Sequence, residues 1–204
     1  MDLKKFIDMR ELLPELANVT MLVILLLFTA FNKKIRAWLE HKTNEKFENS
    51  INKSSLIRDH LAELRAILGA DRVLLFQLHN GQYYFSGEGA DKLSLTHFVV
   101  DAGVAVPDRA GTRLQNIPIS YWPETFKIMQ TRGYFLEQAV QFVDPFNAQM
   151  FSVDGVVSVL CGPVKDRRNF WRGVLVVEFL SEVKKTSVST ASEYGQKIGD
   201  LLSL

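Results

Sequence analysis

Between Glu15 and Lys33 the chain reads LANVTMLVILLLFTAFN, seventeen residues from Leu16 to Asn32 without one ionisable side chain. The run has no polar stripe, so a helix built from it is apolar on every side, unlike the one-sided helices that cover a globular core. Seventeen residues at the helical rise reach roughly 25 Å, and Leu12, Leu13 and the snorkelling Lys33 and Lys34 extend this toward a ~30 Å hydrocarbon layer. The sequence thus predicts a tail over 1–11 and a single transmembrane helix over 12–32. Acidic residues Asp2, Asp8, Glu11 and Glu15 mixed with Lys4, Lys5 and Arg10, and no small-residue cleavage site, argue against a removed signal peptide. Lys33, Lys34, Arg36, Lys42 and Lys46 outnumber the basic residues before the run. That bias predicts single-pass insertion in the inner or cytoplasmic membrane with the C-terminal body in the cytoplasm. The lipid bilayer is the first expected partner.

From Lys33 to Leu68 there is neither proline nor glycine, and Lys, Glu, Arg, Asn and Leu dominate, which predicts a long helix with Asn49-Ser50 or Ser54-Ser55 as its break. The stretch 33–53 reads as a linker. Its sparse stripe of Ile35, Trp38, Leu39, Phe47 and Ile51 suits either a solvated helix or a short coiled coil that makes a homo-oligomer. The denser stripe of Leu56, Ile57, Leu61, Leu64, Ile67 and Leu68 belongs on the folded body, expected over 54–204.

In that body Asp71–His79 reads as a central strand ended by Asn80-Gly81, and Leu93–Val104 as a second strand. A helix opened by Ser120 runs over Trp122–Thr131, weaker strand signals follow over Tyr134–Val143, and the runs GVVSVLCGPV and GVLVVEFL make an antiparallel pair around a basic turn. A helix over Ser187–Leu202 closes the chain. The fold class is α/β (α+β), an antiparallel sheet covered by helices. The net charge of +1 over 204 residues gives no overall pull toward nucleic acid, and none is expected as a partner. A single cysteine, Cys161, rules out an intrachain disulfide, and His41, His60, His79 and His97 are scattered, so no metal site is legible.

The stretch DGVVSVLCGPVKDRRNFWRGVLVVEF resembles the C-terminal core of GAF domains, where a short helix leads to a strand ending in a proline, a turn, a glycine and a final apolar strand. The resemblance covers about Leu56–Leu204 and implies a GAF-like sheet and a regulatory or ligand-binding role; it does not name a cofactor, because GAF domains host many functions. A thiol–disulfide reductase cycle is not expected with one cysteine. Covalent pigment is not expected either, since Cys161 lies inside a strand, and the cyclic-nucleotide signature of asparagine, lysine, phenylalanine, aspartate and glutamate is not visible. The HNG-containing first strand followed by SLTH, together with the N-terminal span, also resembles small phage-encoded membrane-associated proteins. That likeness implies the alternative of a structural or assembly protein, such as a phage membrane or virion component.

The densest polar and aromatic segment is FQLHNGQYYFSGEG. Gln77 and His79 share a strand face, and Asn80-Gly81 brings Tyr83 and Tyr84 into an adjoining loop, a combination that suits a small polar-aromatic ligand. His97 and Asp101 share a face of the second strand about 13 Å apart, too far to pair, while His79 and His97 meet if the two strands pair suitably. Arg109 and Arg113 lie in a glycine-containing loop where they can hold a phosphate or carboxylate. The plain alternative is that these are satisfied strand-end and loop residues. No nucleophile and base stand at a catalytic spacing, so enzymatic activity is not expected. The turn Lys165–Arg172 is basic and aromatic, fit for lipid headgroups, a partner or bare solvent.

Overall fold

The computed structural model describes the backbone of residues 3–83, 89–105, 114–183 and 186–203; within it, the side chains of 3–19, 22–26, 30, 36, 37, 39, 40, 80–83, 89 and 90 are outside the described set. Two compact units divide the chain, Met1–Ile51 and Asn52–Leu204.

Helix α1 spans Leu3–Leu68. It begins inside the expected tail and passes through Asn49-Ser50 and Ser54-Ser55 without a break, because Ser and Asn cost only about 0.5 kcal/mol each, which the good helix formers on either side offset. Among the described residues no helix is long and apolar enough to cross a membrane. The transmembrane helix expected over 12–32 is therefore not found; most of that segment's side chains lie outside the described residues. Gly69, at φ +61, ends α1 in the left-handed conformation that glycine adopts without strain.

The second unit is a six-stranded antiparallel sheet. Its strands are β1 (Arg72–Tyr83), β2 (Gly89–Val100), β3 (Ile117–Pro118), β4 (Phe135–Gln138), β5 (Ser158–Lys165) and β6 (Trp171–Phe179), in the order β3-β2-β1-β6-β5-β4. The apolar runs read as strands occupy the centre, where both faces are covered. On one face Val73, Leu75, Leu160, Val164, Leu175 and Val177 pack against Ile57, Leu61 and Leu64 of α1 and against α4 (Val188–Ser203) through Ala191, Tyr194 and Ile198. On the other, Leu74, Phe76, Leu93, Leu95, Cys161, Val174 and Val176 pack against α2 (Pro123–Arg132), α3 (Pro145–Val153) and the single turns Ile119–Tyr121 and Ala139–Gln141. The short helix that the resemblance implied before β5 is α3.

Several boundaries differ from expectation: Ser120 does not open α2, whose N-cap is Trp122, and of Tyr134–Val143 only Phe135–Gln138 is strand. Asn80-Gly81 does not end β1, because Asn80 pairs with Asp91 and Tyr83 with Gly89 across an irregularity in the ladder. The same pairing draws β2 back to Gly89, and β2 stops at Val100 rather than Val104. Leu75 faces His97 while Phe76 faces Leu95, so Thr96 is an extra residue in β2. That bulge puts Leu95 on the face opposite His97, although residues two apart in a regular strand share a face.

Candidate functional site

Gln77 and His79 lie on β1 on the face that carries Val73 and Leu75. His79 Nε2 is 2.9 Å from Ser94 Oγ, and Ser94 Oγ in turn accepts the backbone N–H of Asn116 at 2.9 Å. With Oγ accepting from Asn116, the serine hydroxyl hydrogen is free to point at the imidazole. His97, half-buried on β2, stands between Ser54 of α1, 2.9 Å from its Nε2, and Thr96 Oγ1, 3.0 Å from its Nδ1. Burial holds its pKa below the ordinary histidine value. The two histidines do not meet: His97 pairs with Leu75 and His79 with Lys92, four residues further along β1, a separation of about 13 Å. Asp101 follows β2 and forms an ion pair with Arg65 of α1. Gln77, His79, His97 and Asp101 thus share the side of the sheet that α1 covers, and the latter two tie β2 to that helix. The side chains of Asn80 and Tyr83, and the whole of Tyr84, Arg109 and Arg113, lie outside the described residues.

The opposite face holds a different polar group. Asp144, 3% exposed at the head of α3, accepts the N–H of Glu124 at 3.2 Å through Oδ1, and the N–H of Thr125 at 2.9 Å plus its hydroxyl through Oδ2. One turn on, Asn147 is 0% exposed and neither atom of its amide has a hydrogen-bond partner. Trp122, 1% exposed and tilted against Phe76 at 5.7 Å between ring centroids, leaves its indole N–H unpartnered too. Glu137 Oε2, on β4, is the third such group. Burial raises the Glu137 carboxyl above its usual range against the opposing pull of the Val143 N–H and Arg132. Beside them Cys161 Sγ sits 3.9 Å from Met129 Sδ, and burial pushes its thiol far above the ordinary value.

Buried polar atoms without partners cost about 1–3 kcal/mol each, so proteins keep few of them without a use. Three side chains of this kind belong to this face of the sheet, bringing an amide, an indole N–H and a carboxylate oxygen to it. None of the three was among the sequence candidates. The legible sign was Asn147 spaced four residues from Phe151, a polar residue on the buried stripe of a short helix. Among the described residues no group of three or more His, Cys, Asp or Glu side chains is placed to hold a metal ion.

A six-stranded antiparallel sheet in this order, with the N-terminal and C-terminal helices on one face and short helices and turns on the other, defines the architecture of a GAF domain. Solved structures agree. The GAF domain of PixJ from Thermosynechococcus elongatus, in its blue-light-absorbing form, superposes with a TM-score of 0.55 at 13% identity over 76% of this chain and 86% of that one. The GAF domain region of a putative membrane protein from Geobacter sulfurreducens gives 0.53 at 13% identity over 78% and 96%. The phycocyanobilin-bound GAF domain of a cyanobacterial phytochrome gives 0.52 at 15% identity over 78% and 87%. No protein-family model and no curated protein matches the chain. The fold of this chain is GAF-like.

Proposed function

We propose that the chain is a membrane-anchored, non-enzymatic regulatory module whose GAF-like body binds a small polar-aromatic ligand. The observation that carries the ligand is the buried, unpartnered amide of Asn147, with the Trp122 indole N–H and Glu137 Oε2 in the same layer. Bilin-bound GAF domains among the structural neighbours lend the reading support by analogy of fold. His79, with the adjoining Tyr83, Tyr84, Arg109 and Arg113, is a second candidate contact region drawn from the sequence.

The anchor rests on the uncharged run Leu16–Asn32 and on the exposure of Met21, Leu27, Phe28 and Phe31, large apolar side chains that lipid would cover. The basic residues after the run put the body in the cytoplasm. Beyond the run, Ile35, Trp38, Phe47 and Ile51, all exposed, form the sparse stripe that suits pairing with a second copy.

Thermal-shift and calorimetric screening of the full chain against nucleotides, bilins and small aromatic metabolites tests the ligand. A hit that Asn147→Leu abolishes supports it, and a hit that survives Asn147→Leu but not His79→Ala moves the site to the α1 face. Asn147→Leu itself leaves the ligand-free protein equally or more stable, since an orphaned amide is removed. A blank throughout sinks the ligand reading. Sedimentation of a detergent-free lysate tests the anchor: full-length chain left in the supernatant overturns it.

A further inference from the structure

The turn joining β5 to β6 is built as a rigid, cation-bearing tip. Asp166, 3% exposed, accepts the N–H groups of Arg168 and Phe170 at 2.9 and 3.0 Å through Oδ1, and Arg172 Nε and Nη2 at 3.0 and 2.7 Å through Oδ2. Asn169 takes the left-handed conformation, φ +64, that its residue type tolerates. From α4, Asp200 accepts the backbone N–H of Arg167 at 3.0 Å and its Nε at 2.9 Å. Two carboxylates thereby fix the loop from both sides.

What this frame displays is apolar at the point and basic around it. Phe170 is 61% exposed, the Arg167 side chain is 86% exposed, and Arg168 is exposed with no ion pair among the described residues. Lys165 lies over the Trp171 ring, 5.0 Å from Nζ to the centroid. Four cations, Lys165, Arg167, Arg168 and Arg172, stand against two anions, Asp166 and Asp200, which leaves 4 − 2 = +2 on a patch of a chain whose whole formal charge is +1. Beside the tip, Arg167, Arg168 and Arg172 line a cleft with Asp166, Asp200 and Ser203. A lone exposed Phe is ordinary. Held rigidly, so that burial costs no further ordering, and ringed by planar guanidinium groups that match phosphate oxygens, it has the composition of an interfacial wedge.

We propose that the β5–β6 turn docks on an anionic lipid surface, with Phe170 entering the headgroup–acyl boundary and Arg167 and Arg168 pairing with lipid phosphates. Charge complementarity selects this occupant, and the contact does not use the Leu16–Asn32 run.

The test takes the full chain carrying Phe170→Trp, with the unsubstituted chain as baseline for Trp38, Trp122 and Trp171, after detergent removal in the presence of liposomes brominated in their acyl chains. Emission from the added indole is quenched in phosphatidylcholine liposomes containing phosphatidylglycerol and not in phosphatidylcholine alone. Adding Arg168→Glu, at a side chain with no ion pair to lose among the described residues, lowers the docking constant read from a phosphatidylglycerol titration by roughly twenty-five-fold, two charge units at about fivefold each. Equal quenching in neutral and anionic liposomes, none in either, or indifference to Arg168→Glu overturns the proposal. So does a response of the added indole to polyglutamate but not to anionic lipid, which assigns the turn to an acidic protein partner. Lysate sedimentation reads the anchor and quenching reads the turn, so either can fail alone.

Discussion

Asp144 caps a helix to which it does not belong: its carboxylate closes the first turn of α2 by accepting the Thr125 N–H and hydroxyl, nineteen residues back in sequence, while itself standing at the start of α3. Trp122, at the N-cap of α2, makes no side-chain cap of its own. One buried carboxylate therefore supplies the acceptors for the orphan N–H groups of α2 and locks two helices of the same layer together.

Asp144→Ala leaves those N–H groups and the Thr125 hydroxyl buried without acceptors. The expected loss is about 2–4 kcal/mol, a cap and a charged hydrogen bond together. Urea unfolding of the full chain measures it. Thr125→Val removes only the hydroxyl bond and costs less, about 1 kcal/mol.

Two glycines of α4 admit close neighbours. A Cβ at Gly199 would stand 2.1 Å from the Lys165 carbonyl oxygen, and one at Gly195 would stand 1.8 Å from the Tyr134 hydroxyl. Gly199→Ala meets backbone that cannot swing aside and destabilises by about 1–3 kcal/mol, outweighing the gain in helix propensity. Gly195→Ala meets a side chain, so Tyr134→Phe recovers part of its cost in a double-mutant cycle; additive effects would contradict that contact.

His97 and Asp166 separate two acid-sensitive windows. Burial lowers the His97 pKa, so the unfolded chain takes up its proton first; the stability this histidine contributes is full above pH ~6.5 and is lost as pH falls through the folded value. For Asp166, burial raises the carboxyl pKa, but the N–H of Phe170, the Arg172 guanidinium and the N–H of Arg168 outweigh it and leave the value below normal. Its contribution is full above pH ~3.9 and fades below that. Melting temperatures across pH show His97→Gln flattening the upper window alone and Asp166→Asn the lower alone.

Cys161 is 0% exposed and its thiol is held protonated by burial. Ellman's reagent therefore labels the native chain only through opening of the sheet, at a rate that follows unfolding as denaturant is added, and stoichiometrically in denaturant. Rapid labelling without denaturant would place the thiol outside the core.

Much of the sheet was legible because its central strands are continuous apolar runs, and Gly173–Leu180 reads as a strand whatever surrounds it. The rest was hidden where a distant residue decides. The bulge at Thr96 exists only in the pairing of two strands, so alternation along β2 alone does not disclose which face Leu95 takes. Asn80-Gly81 carries turn chemistry, yet its ladder partner Asp91 keeps it in the strand. The polar layer around Asn147 was invisible for a related reason: an unpartnered amide is defined by what fails to surround it. His79 and His97 lie on the two strands that the apolar runs marked, but their partners Ser94 and Ser54 come from elements that alternation cannot align.

The first strand of the body lies beside the last: Arg72 faces Glu178 and Gln77 faces Gly173. During synthesis, then, β1 leaves the ribosome with one flank unoccupied and must wait for about a hundred further residues, some five to twenty seconds at ordinary elongation rates, before β6 arrives to fill it. Completion of the barrier to stray strand pairing thus waits for the last strand of the sheet, and a pause or truncation upstream of Trp171 leaves a sticky half-sheet rather than a smaller stable fold.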